Sequence, residues 1–316
     1  MKAENLDRLL CLLEVRLHAI GLCEVASGFR LKLPPTEDVL VHYVLGGSGV
    51  LRTEDGMNVP FRPDTLIFVQ PGCSHEISRH GDEPQVLLWK ETAEPLGEGM
   101  MRMTAGSGEA AIISACGTIS ADCGGLNLFE QLREPISEDV SGDRAVRSAF
   151  GLMLAEFREP RFGTRALTEA LMKQCLVIAL RGQIERGEIR IVPLSGLRDS
   201  RLLKGLLEML EHPAEEHSLD ELARISGMSR SLFAERFTET FQKPPMDLLR
   251  QIRLHRAANL LRSTELPIQI VAMSVGYASR SYFSRAFRAA YGSDPKAFRE
   301  QARRAEQEER KEGQHV

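Results

Sequence analysis

Apolar residues change their spacing as the chain proceeds. From about Val15 to Cys123 they come in short β-rich runs broken by turn residues. Val39 to Leu45 ends at Gly46-Gly47, Leu66 to Val69 ends at Pro71-Gly72, and Val86 to Trp89 follows the Gly81–Pro84 turn. Strands this short, at this spacing, predict a sandwich or barrel. From Ala145 the period becomes helical. Ala145 to Phe157 and Ala166 to Ile184 space their apolar residues three and four apart. Leu167, Leu171, Cys175, Ile178 and Leu180 are expected to form the apolar face of the second of these helices. Gly187 to Ser200, with Pro193 and Gly196, reads as a linker. Helices resume at Arg201, and the charged tail after Glu300 is expected to fray.

Within the last third the pattern repeats. Gly227-Met228-Ser229-Arg230-Ser231-Leu232-Phe233 aligns with Gly276-Tyr277-Ala278-Ser279-Arg280-Ser281-Tyr282-Phe283, with one extra turn residue, Ala278. Phe237 then matches Phe287, Phe241 matches Tyr291, and Pro245 matches Pro295. Ser218 with Glu221 has the capping-box pattern, opening a helix whose inner face is Leu219, Leu222, Ala223 and Ile225. Gly227 turns the chain, and Ser229 caps a second helix with Phe233, Phe237 and Phe241 facing inward. In the second copy Pro267 suits a first helical turn, Ile270, Val271 and Ala272 are expected inside, and Ser279 is the cap. A helix from about Met246 to Leu261 separates the copies. Helix, glycine turn, capped helix is the helix-turn-helix plan, whose second helix enters the major groove.

Charge supports this reading once it is resolved along the chain. The formal net charge is −4, yet Ser226 to Gly292 holds ten Lys and Arg against four Asp and Glu, a surplus of six. Such a basic module is the footprint of phosphate contact. The longest apolar runs fall far short of a membrane span of roughly 20 residues. Glu4, Asp7, Arg8, Glu14 and Arg16 break up any signal-peptide core, so a cytoplasmic protein is expected. The six cysteines contain no CxxC pair, which argues against a disulfide framework and a structural zinc site of that type.

The stretch from Ser218 to Arg299 resembles the DNA-binding domain of the AraC/XylS family, two helix-turn-helix units joined by a rigid helix. The resemblance implies that outward positions of each recognition helix reach base edges. Here these are Arg230, Ser231, Ala234 and Glu235 in the first unit, and Arg280, Ser281, Ser284 and Arg285 in the second. Arg280 and Arg285 suit bidentate contacts to guanine. Ala234 touches only a methyl group, and Glu235 repels phosphate or accepts from cytosine N4. Arg236, Lys243 and Arg288 are phosphate candidates. A bland solvated role competes for each single arginine.

The segments His42 to Gly49 and Asp64 to His75 are similar to the two cupin motifs, and the half that contains them looks like the cupin-type sensor of one branch of AraC-type regulators. Metal-binding cupins place an HxH pair in the first motif, and here Val44 stands where the second histidine would be. His42 and His75, with Cys73, form a candidate zinc or iron site. The competing expectation is hydrogen-bonded lining residues and no cofactor. Cys23 and Cys116 are candidates for a redox switch, against the commoner fate of inert buried thiols. An organic effector in the barrel mouth ranks ahead of thiols, and thiols ahead of metal.

The expected architecture is α+β and multidomain. Residues 1–190 form a cupin-like β-barrel sensor with flanking dimerisation helices, 191–200 a linker, 201–300 an all-α double helix-turn-helix domain, and 301–316 a charged tail. The expected function is sequence-specific transcriptional regulation in response to a small effector or redox signal. Its expected partners are double-stranded DNA, a second copy of the chain, a small-molecule effector and, for an activator, RNA polymerase. The rival is a metal-dependent cupin oxygenase or isomerase with an incidental helical appendage, disfavoured by the incomplete metal triad and the quality of the repeat.

Overall fold

Short runs ending in turn residues become strands stacked in two sheets. In the computed structural model, which describes residues 3–79, 85–96, 100–187 and 199–312, the strands are β1 (Leu13–Ala26), β2 (Phe29–Leu33), β3 (Val39–Gly46), β4 (Gly49–Thr53), β5 (Asn58–Phe61), β6 (Thr65–Val69) and β7 (His75–Ser78). There follow β8 (Gln85–Leu88), β9 (Ala93–Pro95), β10 (Met100–Ala105), β11 (Ala110–Cys123), β12 (Leu126–Asn127) and β13 (Ile136–Asp139). One sheet has the order β13-β6-β3-β11-β1-β10-β9, with β12 beside β11, and the other has the order β5-β4-β7-β2-β8. Trp89, expected in a strand, instead opens the short helix α2 (Trp89–Thr92), after α1 (Ala3–Cys11) at the start of the chain. The Gly81–Pro84 turn lies outside the described residues.

The expected cupin-like β unit is present, and among the described residues no closed barrel is found. Among the described residues the ladders form two separate sheets, packed through a shared core. That core joins Cys23, Leu40, Val44, Ile67 and Cys116 from one sheet to Leu31, Leu33, Leu51, Phe61 and Ile77 from the other. Alternation along β3 sends Leu40, His42 and Val44 to one face and Tyr43 to the opposite one. Tyr43 stacks on Phe150, with ring centroids 4.4 Å apart. With both faces covered, β3 is buried over six successive residues, which is why its sequence does not alternate.

Phe150 lies on α3 (Arg144–Arg158), whose start is capped by Asp143 accepting from the Ala145 N–H. Arg147 of the same helix donates to Asp64, which also accepts from the Tyr43 hydroxyl. After α3 comes α4 (Thr164–Arg186), tied to β13 by Arg186 and Glu138. Its buried face is Thr168, Met172, Cys175, Leu176, Ala179, Leu180 and Gln183. The expected face is therefore rotated: Leu167 is 43% exposed, because a polar residue with an internal bond, Thr168 to the Arg165 carbonyl, takes the inward position. Both helices pack on the sandwich. These elements, spanning Leu13–Asp122 and Asn127–Ser195, form one compact unit.

The second unit comprises Met1–Leu12, Cys123–Leu126 and Gly196–Val316. The N-terminal helix, expected with the sensor half, thus groups with the C-terminal helices. Arg8 of α1 donates through Nε to Glu211 at 2.9 Å, and Leu9 is buried. The C-terminal helices are α5 (Ser200–Glu211), α6 (Leu219–Ile225), α7 (Arg230–Phe241), α8 (Pro245–Ser263), α9 (Ile268–Ser274), α10 (Arg280–Tyr291) and α11 (Pro295–Glu312). Residues 191–198 of the expected linker lie outside the described residues. The tail expected to fray is helical as far as Glu312.

Candidate nucleic-acid interface

The two repeat copies fold alike because the same residues make the same local bonds. Ser218 Oγ accepts from the Glu221 N–H at 3.1 Å and opens α6. At its end Met228 N–H donates to the Ala223 carbonyl at 2.9 Å across Gly227, whose φ is +62°. In the second copy Tyr277 N–H donates to the Ala272 carbonyl, also at 2.9 Å, across Gly276 at φ +85°. A Cβ on Gly276 would meet the Ala214 carbonyl oxygen at 2.8 Å, so both backbone angle and space require glycine. Ser229 then caps α7 from the Leu232 N–H, and Ser279 caps α10 from the Tyr282 N–H.

Phe233, Phe237 and Phe241 are fully buried under α7, with successive ring centroids 5.3 and 4.4 Å apart. Helix α5 seats closely on this stack at Gly205, where a Cβ would lie 2.9 Å from the Phe233 ring. In the second copy Phe283 and Phe287 are buried with Leu254, Ala257, Ala258 and Leu261 of α8 and with Val271 and Ala272 of α9, while Tyr291 stacks on Phe287. Pro267 sits just ahead of α9 at its cap position rather than inside the first turn. Ile270, expected inward, is 44% exposed. A seven-residue helix completes barely two turns and its inward arc is filled by Val271, Ala272 and the following Val275.

Burying the phenylalanines fixes what each helix shows to solvent. Arg230, Ser231, Glu235 and Arg236 of α7 are exposed and Ala234 is half-buried. On α10 Arg280, Ser281, Arg285 and Arg288 are exposed and Ser284 is half-buried. Among the described residues no ion pair engages Arg280, Arg285 or Arg288, whereas Arg230 approaches Asp220 of α6 at 3.4 Å. Lys243 donates to Gln251 Oε1 at 3.0 Å. Arg253, another of the ten basic residues, is spent on the backbone carbonyls of Pro213 and Glu215. The free positive charge is thus concentrated on the second recognition helix. Sequence reasoning passed over Tyr282, 52% exposed in the first turn of α10; its place beside the buried Phe283 was the available signal.

The sensor candidates also have definite places. His42 on β3 lies directly opposite Cys116 on β11, and Cys23 lies on β1, the next strand in the same sheet. The Cys23 and Cys116 sulfurs are 2.9 Å apart, and both are free thiols. His75, from the other sheet, brings its Nε2 to 2.8 Å from that of His42. All four residues are buried. Burial, with His75 adding, pushes the His42 imidazole well below its ordinary value. Burial likewise pulls His75 down to about 4, opposed by the Cys73 backbone. Cys116 is held well above the usual thiol range by its contact with Cys23 and by burial. The Cys73 thiol donates to the Ser74 carbonyl. The pairing of two cysteines with a histidine crosses three strands, and nothing local in the sequence encodes it.

Two glycine-turned, serine-capped helix pairs with an outward arginine face, in a chain that also carries a two-sheet β unit, define a DNA-binding regulator with a separate second domain. Residues 4–185 match the family described as Cupin, and residues 222–301 the family described as Helix-turn-helix domain. The chain belongs to the cupin-containing AraC-type transcriptional regulators. It is similar to the RCS-specific HTH-type transcriptional activator RclR of Escherichia coli K12, 26% identical over 83% of this chain and 84% of that one. It is also similar to the HTH-type transcriptional regulator MtrA of Neisseria gonorrhoeae, 26% identical over 83% of this chain and 86% of that one. The crystal structure of the DNA-binding domain of AdpA in complex with a target DNA aligns with 33% of this chain and 95% of that one, at 30% identity and a TM-score of 0.33. No helix among the described residues is long and apolar enough to cross a membrane.

Proposed function

We propose that α10 supplies most of the base reading and that the β unit senses a small effector or redox signal in the cytoplasm. The carrying observation is the unpaired, exposed trio Arg280, Arg285 and Arg288 on a helix whose opposite face is locked in the core. Arg280 and Arg285, with Ser281 and Ser284 between them, face base edges; Arg288 lies two turns along and contacts phosphate. On α7, Arg230, Ser231, Ala234 and Glu235 read more weakly, since Arg230 already has Asp220 and Glu235 opposes phosphate, while Arg236 is left for the backbone. Sensing acts through the sandwich interior. Cys23 and Cys116 are close enough to join as a disulfide by giving two protons and two electrons to an oxidant. RclR, a relative described as RCS-specific, supports that class of signal.

Dimerisation completes the reading. Leu152 on α3, Phe162 in the following turn and Leu167 on α4 are exposed apolar side chains in the stretch first read as pairing helices. A second copy covering them would present two half-sites on DNA. RNA polymerase is a partner if the output is activation. In mobility-shift assays on the DNA upstream of its own gene, Arg280→Ala and Arg285→Ala should each cost roughly 1–3 kcal/mol and relax preference at one base. Arg288→Ala should weaken all sequences alike. Equal, sequence-independent losses for all three would remove the base-reading assignment.

A further inference from the structure

We propose that Cys23, Cys116 and His42 form a site for zinc or a similar thiolate-binding divalent cation, with His75 as the residue that orients His42. The site lies inside the β unit and does not depend on the DNA-binding reading. One ligand atom from each of the three residues lies within 4.8 Å of the others, and the two sulfurs are 2.9 Å apart. Zinc–sulfur bonds of about 2.3 Å and zinc–nitrogen bonds of about 2.0 Å place tetrahedral donors roughly 3.3–3.8 Å from one another. The histidine nitrogen lies within 4.8 Å of both sulfurs, and the sulfurs, now 2.9 Å apart, would part by roughly 0.9 Å to reach the tetrahedral spacing. No side chain need cross the core to close the site, because β1, β11 and β3 are successive strands and Cys116 stands opposite His42 in the ladder.

The histidine pair supplies the second, independent observation. His42 is 1% exposed, and its Nδ1 has no hydrogen-bond partner. A polar atom sealed in an apolar core without a partner is costly. Its Nε2 is engaged by His75 Nε2, and only one of those two nitrogens carries the proton. With His42 as donor, its Nδ1 keeps the lone pair that a metal needs. His75 then holds its own proton on Nδ1, a buried nitrogen with no hydrogen-bond partner. A ligating imidazole whose other nitrogen is fixed by a neighbour is the usual outer-shell arrangement, and it sets ring orientation and tautomer together.

Charge and softness select the cation. Two thiolates and one neutral imidazole around a divalent ion sum to zero, which an apolar core tolerates where an isolated charge would not be. Thiolate donors favour zinc over hard, oxygen-seeking cations. Three protein ligands leave the fourth position to water or a small ligand. The incomplete cupin triad is therefore no obstacle: Cys23 and Cys116 stand in for the donor that Val44 cannot supply.

The test uses the full-length reduced protein and reads metal rather than DNA. Expressed with zinc and purified without chelator, it should carry about one zinc per chain by elemental mass spectrometry. After removal of zinc, added cobalt should give a thiolate-to-cobalt charge-transfer band and the strong visible bands of a tetrahedral site. Cys23→Ser and Cys116→Ser should abolish both, while Cys73→Ser and Cys175→Ser retain them. His75→Gln should weaken binding roughly 10–100-fold and keep the charge-transfer band, as expected of a positioning residue. A reduced wild-type chain that takes up neither zinc nor cobalt overturns the proposal, and that result needs no variant to fold. So does full zinc retention by a folded Cys23→Ser/Cys116→Ser chain.

Discussion

Asp64 joins three chemical roles at one position. Its backbone lies in the left-handed region at φ +64°, its carboxylate accepts from Tyr43 and Arg147, and it thereby ties β3 to α3. The Arg147 guanidinium, with help from the Tyr43 hydroxyl and against burial, holds the carboxyl below its ordinary value. A carboxylate depressed in the folded state stabilises it above the unfolded value of about 3.9 and loses that contribution as pH falls through the folded value. Asp64→Asn is the informative change, because asparagine tolerates the left-handed region and keeps an acceptor. The variant should be less stable than wild type at pH 7, and the gap should close as pH falls below about 4. Denaturant titrations at both pH values check this; a constant gap would show that the charge plays no part. Residue-scale features of this local kind were legible in the sequence wherever the signal was short-range. Ser218, Ser229 and Ser279 cap as their spacing predicts, and Gly227 and Gly276 turn the chain. Ile270 faces solvent against expectation because barely two turns of periodicity do not fix which of two adjacent apolar residues faces in.

Among the elements, helices with long runs of periodicity were read nearly to their ends, and short elements were not. Residues 145–157 and 166–184 became α3 and α4, but the inward stripe of α4 is rotated onto Thr168 and Gln183, polar residues that hydrophobic spacing cannot nominate. The strands of the cupin motifs were visible, while their division into two open sheets depends on ladder pairings between residues far apart in sequence. Helix α1 is the clearest case of a hidden role. Its charged residues were read only as breaking up a signal-peptide core, yet it groups with the C-terminal helices, with Leu9 buried and Arg8 bonded to Glu211. Leu9→Ala should therefore destabilise that helical unit by about 2–5 kcal/mol, as large-to-small changes at buried leucines do. A fragment of residues 199–316, lacking α1, should still bind DNA and unfold at lower denaturant than the same fragment fused to residues 1–12. Equal midpoints would mean that α1 contributes nothing to the unit.

At the scale of the whole molecule, the sequence carried function further than it carried connection. An internal repeat with a basic surplus was sufficient to find the DNA-binding helices. The interior of the β unit was only half visible: His42 and His75 stood out as motif residues, whereas the contact of Cys23 with Cys116, 93 positions apart, arises only through the order of strands. Assembly belongs to this scale too. If a second copy covers Leu152, Phe162 and Leu167, the wild-type chain sediments as a dimer, and Leu152→Glu combined with Leu167→Glu yields folded monomer. An unchanged sedimentation coefficient for that variant would move the interface elsewhere. Regulation by this protein requires the C-terminal helices to grip DNA, and the salt dependence of affinity tests that most directly. For the full-length protein, log affinity should fall linearly with log salt concentration, and Arg288→Ala should make the slope shallower by about 0.9, one phosphate contact's worth of released counterion. Folded protein with no salt-dependent affinity for DNA of any sequence would contradict it.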